Sequence, residues 1–290
     1  MTFKCVQVLL SSLLIVTGGH LSASQALNSR ECELIDAYER SENTPFSEHF
    51  ANMVHQREFC FSTGSDCSVP LQKRADDFHV VILGDKHLPS AHMRQVARTA
   101  LEKVVAQFKK ASGIAMLTGK RDGVSNFIYL VFVDRELAIR RFDDYTSAWI
   151  APRSVAANAD EKSKLVFLFK EFLKDDQTCR VIHKIRPSGR IDRAQIWIRT
   201  DVNETMMRQC IAEEVFNSIG LSEGTEVASI FDYSFSHNKS DTELSDFDLL
   251  LLKLLYRDEL KVGSTRPQTI ESVSNVFRSE CPAADQTAQP

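Results

Sequence analysis

Cys210-Ile211-Ala212-Glu213-Glu214-Val215-Phe216-Asn217-Ser218-Ile219-Gly220-Leu221-Ser222-Glu223 is the stretch on which the reading of this 290-residue chain turns. The spacing predicts a helix over residues 204–219, stopped by the glycine. At ~100° per residue, Gln209, Glu213, Asn217 and Gly220 fall on one narrow polar arc, and Met207, Cys210, Ile211, Val215 and Ile219 cover the apolar side. Glu214 falls at the border of the apolar arc, between Cys210 and Met207. A carboxylate there has to be paired, metal-bound, protonated or open to a cleft, because burying it alone is costly.

Outward from this helix, apolar runs and turn signals place the other elements. Residues 179–185 and 193–199 read as two strands joined through Pro187-Ser188-Gly189. Phe78-His79-Val80-Val81-Ile82-Leu83, ended by Gly84, is the first strong strand; 114–117 and 127–133 read as two more around a turn at 120–123. Met93, Val96, Ala97, Ala100, Leu101, Val104, Val105 and Phe108 recur at helical spacing, and 160–173 is a second long helix. Residues 31–56 are helical and polar, 269–277 form a short helix, and 135–158 show no clear pattern.

The N-terminus reads as a secretory signal. Lys4 precedes an apolar run over 6–16, too short to span a bilayer comfortably, and Ser22-Ala23-Ser24-Gln25-Ala26 offers cleavage after Ala26 or after Ser24. Its removal leaves six of the seven cysteines, an even count that implies an oxidising compartment and three disulfides. Cys60 and Cys67 enclose a short Ser/Gly loop that can close on itself. Cys179 precedes the strand pair and Cys210 begins the motif helix, so a bridge between them would tie sheet to helix. The formal net charge of −4 with interspersed signs argues against nucleic acid as a partner. No second apolar run reaches transmembrane length, so a secreted or periplasmic product with no membrane association after signal removal is expected.

A metzincin carries HExxHxxGxxH on one helix, with the histidines binding zinc and the glutamate activating water. The quoted stretch resembles that motif at Glu214, the general-base position, and at the turn glycine Gly220, while Glu213, Asn217 and Glu223 stand at the three histidine positions. Downstream, Ser229-Ile230-Phe231-Asp232-Tyr233 resembles the turn beneath the zinc, with Phe231 for methionine and Asp232 following it. Leu244-Ser245-Asp246-Phe247-Asp248 resembles the opening of the final metzincin helix, and Ser245 with Asp248 has capping-box spacing. The whole pattern resembles the secreted bacterial proteins of domain-of-unknown-function family 2927, which are zincin-like with a degenerate HExxH. The resemblance implies an α+β fold, a metzincin-like mixed twisted sheet with long helices, plus a small N-terminal helical region. The implied division is 1–26 signal, 27–77 N-terminal helical and disulfide region, 78–263 zincin-like domain, and 264–290 C-terminal helix and tail.

Glu213, Asn217 and Glu223 offer only oxygen, so no zinc and no cofactor are expected, and a hard divalent cation is the one metal the set suits. Two functional readings follow: a pseudo-peptidase that binds without cutting, or a hydrolase using a non-zinc metal or a glutamate-based site in the same cleft. A third, structural reading makes Glu213, Asn217 and Glu223 a solvated face and pairs Glu214 with an arginine such as Arg208 or one between 186 and 199. In metzincins the strand before the motif helix lies at the cleft rim and pairs with extended substrate. The corresponding segment, Ala194-Gln195-Ile196-Trp197-Ile198-Arg199, alternates as an edge strand should, so either it accepts an extended peptide or protein segment, with Trp197 giving selectivity, or Trp197 packs under the loop near Trp149.

Overall fold

The computed structural model describes residues 26–55, 69–119, 126–150, 159–174, 177–221 and 244–281. Helix α1 (Ser29–Glu42) begins at Asn28, whose side chain makes a reciprocal capping box with Glu31, and ends at Asn43 in the left-handed region. Pro45 follows and α2 (Phe46–His55) restarts the helix, so the helical stretch expected over 31–56 is two helices. The second is mostly buried, contrary to the polar reading.

Strand β1 (Phe78–Leu83) leads to α3 (Ala91–Ser112), held between the Ser90 cap and Gly113. Then come β2 (Met116–Thr118) and β3 (Phe127–Val133). Two short helices, α4 (Arg135–Arg140) and α5 (Phe142–Tyr145), continue into a π turn over Thr146–Ile150. These non-α turns explain why that stretch shows no single period. The chain goes on through α6 (Ala159–Lys174), β4 (Cys179–Ile185), β5 (Ile191–Arg199), α7 (Glu204–Asn217), α8 (Asp246–Leu255) and α9 (Arg266–Glu280).

The strands form one five-stranded sheet in the order β2-β1-β3-β5-β4. The first four are mutually parallel and β4 runs antiparallel to β5. Alternation along the central strands divides the core in two. Ile128, Leu130 and Phe132 of β3, with Ala194, Ile196 and Ile198 of β5, face the layer containing α3, α7 and α8. Val131, Val133 and Trp197 face the opposite layer, where Phe169 and Phe172 of α6 pack. Both faces of β3 and β5 are therefore covered, as parallel strands require. The larger core runs continuously from Leu27 and α2 to Val276 of α9. No helix among the described residues is long and apolar enough to cross a membrane.

Candidate functional site

Helix α7 starts at Asn203, whose side chain accepts from the Met206 amide at 2.9 Å. It packs between α3 and the β5–β4 half of the sheet. From Cys210 to Asn217 it is buried on all sides, and Glu213, Glu214 and Asn217 are 4 %, 3 % and 2 % exposed. The solvated-face reading of Glu213 and Asn217 is thus corrected: the polar arc is covered. Glu213 and Asn217, one turn apart, share a face. Neither atom of the Asn217 side-chain amide has a hydrogen-bond partner among the described residues. Arg208, offered by sequence as a partner for Glu214, instead lies 3.8 Å from Glu204. Arg199 is bound to Asp201.

The end of α7 is tied down by side chains from elsewhere. His183 Nε2 lies 2.8 Å from the main-chain oxygen of Asn217. A carbonyl can only accept, so His183 carries its proton on Nε2. Burial pushes this imidazole down to about 4, so it is neutral at pH 7. Arg74 Nε donates to the Ser218 oxygen at 3.2 Å, while its Nη1 reaches Asn126 Oδ1 at 2.6 Å. These two side chains satisfy carbonyls that the helix leaves open at its end. Gly220 then turns the chain with φ 113°, and a Cβ there would sit 2.0 Å from the Gln72 oxygen. The glycine of the motif is therefore required by a backbone crossing as well as by its dihedral.

Arg74 and His183 were not placed at this helix by the sequence motif. Arg74 stands beside Lys73 in a connecting segment, and its complete burial is a tertiary fact. Residues Glu223, Phe231 and Asp232 of the resemblance, with Cys60 and Cys67, lie outside the described residues, as do 1–25 and the tail beyond 281. Cys179 and Cys210 are joined, with Cα atoms 5.8 Å apart, and tie the first residue of β4 to α7. A second bridge links Cys32 to Cys281, at opposite ends of the described chain.

The rim assignment is also corrected. β5 lies between β3 and β4, and Ala194, Gln195, Ile196, Trp197 and Ile198 are all fully buried. Trp197 packs edge-on against Phe169 at 5.0 Å and near Phe172 at 5.6 Å. The alternation of Gln195 and Trp197 with Ala194, Ile196 and Ile198 reflects a second packed layer, which has the same period as an exposed edge. The edge on this side of the sheet is β4. Arg199 N donates to Thr178 O at 2.9 Å, and the register then pairs Arg180 with Trp197, Ile182 with Gln195 and Lys184 with Arg193. In an antiparallel ladder hydrogen-bonded pairs alternate with non-bonded ones. The backbone groups of Cys179, Val181 and His183 therefore point away from β5, on the side where no described strand follows.

Zinc on this helix would need imidazole or thiolate donors. Glu213 and Asn217 supply oxygen and an amide, and among the described residues no three His, Cys, Asp or Glu side chains are grouped to hold a metal. The donors present do not fit zinc. A cavity of about 850 Å³ lies elsewhere, between residues 73–77, the end of α3 and the segment after α8. Its buried cation Lys73 donates to the Leu255 and Arg257 oxygens at 2.9 and 3.4 Å, and so caps the end of α8. Burial lowers that ammonium to about 8.

The molecule is an α+β protein with a mixed five-stranded sheet between helical layers and a buried carboxylate-bearing helix against the sheet. Its sequence assigns it further: the chain belongs to the family described as protein of unknown function (DUF2927), whose model matches residues 44–275. No curated protein matches it.

Proposed function

We propose that this is an exported, zincin-like binding module that captures an extended peptide segment along β4 and does not cut it. The observation that carries the reading is the row of backbone groups at Cys179, Val181 and His183 directed away from β5. Such a row can bond a peptide as an added strand, with main-chain hydrogen bonds giving affinity and neighbouring side chains giving selectivity. The strand is held in place for this by the Cys179–Cys210 bridge at one end and by His183 against α7 further along. The zincin likeness is supported by Glu214 and Gly220 at their motif positions, and absence of cleavage by the oxygen and amide donors where a peptidase needs imidazoles. Export is supported by the leader-like N-terminus and by two disulfides.

The test is a random-sequence peptide library panned against the oxidised protein, followed by amide exchange with a selected peptide. Slowed exchange at 179–185, loss of binding in Val181→Pro with an unchanged fold, and an intact peptide after incubation are expected. Proline at 181 removes an outward amide and leaves the β5 ladder alone. Binding that survives Val181→Pro and leaves 179–185 unprotected would refute the edge, and cleavage of the peptide would refute the binding-only reading.

A further inference from the structure

The corner where the two ends of the described chain meet carries a chemical signature of its own. The Leu27 amide nitrogen lies 2.7 Å from Glu280 Oε2, at the end of α9. The Leu27 side chain is buried at 7 % exposed. Glu280 is held from its other side by Arg257, whose guanidinium reaches both carboxylate oxygens at 2.9 and 2.5 Å. Arg257 also binds Glu259 at 3.0 Å. Lys253 of α8 binds Glu31 of α1 at 2.7 Å and the Ala26 oxygen at 2.8 Å. Beside this cluster the Cys32–Cys281 bridge joins the start of α1 to the end of α9.

Among the described residues, Glu31, Glu259 and Glu280 face Lys253 and Arg257, Arg257 is shared between Glu259 and Glu280, and Lys261 also acts on Glu259. A backbone amide at Leu27 gives Glu280 a hydrogen bond but no charge. An ammonium at the same atom would donate the same bond with a positive charge behind it, beside a carboxylate that shares Arg257 with Glu259. The sequence just before that atom is Ser24-Gln25-Ala26, with small residues one and three positions before Leu27, the pattern a signal peptidase accepts.

We propose that the chain is cut between Ala26 and Leu27 during export, and that the α-ammonium so formed seats on the Glu280 carboxylate and completes this charge cluster. The step is a hydrolysis. Water breaks the C–N bond, its hydroxyl stays on the Ala26 carbonyl carbon as the leader's new carboxylate, and its hydrogen goes to the Leu27 nitrogen, which holds a further proton from solvent at neutral pH. The cut precedes folding, since a signal peptidase meets the chain while it is still being translocated. Lys253 gives up the Ala26 oxygen and keeps both oxygens of Glu31. Of the two cleavage positions that the sequence allows, only the one after Ala26 puts a charge on the atom that already touches Glu280. The inference rests on the export reading above and is separable from it.

The experiment expresses the full chain with its own leader, recovers it from outside the cytoplasm, and reads its N-terminus by sequencing and intact mass. A start at Leu27 is expected. An exported chain that starts at Gln25 or elsewhere overturns this inference and leaves export standing, whereas an uncut chain retained in the cytoplasm overturns both. A second measurement compares thermal midpoints of the processed protein and of an oxidised, refolded chain that starts at Ser24, from pH 6 to 10. An ammonium paired with Glu280 titrates above its unfolded value of about 8, so its stabilisation is complete below that value and is lost as pH rises through the folded one. The processed chain should lead by about 2–4 °C below pH 8 and lose the lead by about pH 10. In the processed chain Glu280→Gln should remove this pH dependence. Coincident curves for the two chains overturn the pairing even if the Gln variant does not fold.

Discussion

The imidazole of His183, on the edge strand β4, donates from Nε2 to the main-chain oxygen of Asn217 at 2.8 Å, so that the last turn of α7 hangs on the sheet's antiparallel edge. The Gly220 amide also reaches that oxygen, at a longer 3.2 Å. His183→Phe keeps a ring of similar bulk and removes the donor, and should cost about 1–3 kcal/mol in urea unfolding. His183→Gln, which retains an N–H, should recover part of that loss. Equal losses in the two variants would mean that ring packing, and not the hydrogen bond, holds the helix end.

Gly220→Ala tests the crossing beneath α7. The added Cβ would meet the Gln72 oxygen at 2.0 Å, and φ of 113° is strained for any L side chain. A loss of at least about 3 kcal/mol, or failure to accumulate folded protein, is expected. Gly119→Ala is the matched control: its φ is 97° and no described residue lies within 4 Å of its Cβ position, so the dihedral cost of about 1 kcal/mol is what applies. Similar losses at the two sites would remove the Gln72 contact from the account.

What the sequence made legible, and what it hid, follows from the range of the interactions concerned. The long helices α3 and α6 and the strands β1, β3 and β4 announce themselves by period and by local stops such as Ser90 and Gly113. The Cys179–Cys210 pairing was also readable, because the two residues flank elements that must touch. Burial of Glu213 and Asn217 was not, since a helical wheel gives the direction of a side chain and not what stands in that direction. Nor was the interior position of β5: Gln195 and Trp197 alternate in the same way whether they face water or α6. His183 and Arg74 have no local partners in sequence, so nothing short of the fold brings them to the end of α7.

Acid should destabilise the protein within a defined window. His49 is buried against Tyr38 and Phe247, with Nε2 lacking a hydrogen-bond partner among the described residues, and burial lowers it to about 4. His183 is lowered similarly, and His55, between Val69 and Thr269, is shifted in the same direction by burial. Each is neutral in both states well above pH 6.5. As pH falls from 6.5 toward 4 the unfolded chain binds protons that the folded one refuses, so stability drops throughout that interval. His49 alone contributes up to about 3 kcal/mol of this loss at 1.36 kcal/mol per pH unit. Urea midpoints measured from pH 7.5 to 4 should show the decline, and His49→Phe, which fits the same aromatic surroundings, should make it shallower. A slope unaffected by that change would place the acid sensitivity in other groups.

The two disulfides among the described residues should differ in what they contribute, and both should matter more than any single contact there. In the chain-entropy picture a bridge stabilises by restricting the unfolded state, and the effect grows with the logarithm of the loop closed. Cys179 and Cys210 are 31 residues apart, which gives about 4 kcal/mol, and Cys32 and Cys281 are 249 apart, which gives about 5 kcal/mol. Packing works against this order, because Cys210 is fully buried in the larger core whereas Cys32 and Cys281 are only half-buried at its margin. Removing the inner bridge with Cys179→Ala and Cys210→Ala therefore adds a small cavity to the entropic loss. The outer pair Cys32→Ala and Cys281→Ala leaves the Arg257–Glu280 and Lys253–Glu31 ion pairs in place to hold the two chain ends. Loop closure, however, is gained against the unfolded state, which those ion pairs do not constrain. The outer double variant should consequently lose at least as much stability as the inner one, and the variant lacking both bridges should approach the whole of the 5–15 kcal/mol typical of a folded domain. Thermal midpoints of the three variants, prepared alongside the oxidised parent, decide the matter. A markedly larger loss from the inner pair would show that the packing of Cys210 between β4 and α7 outweighs loop length. Persistence of a cooperative transition near the parental midpoint without either bridge would show that the fold does not depend on these two bridges.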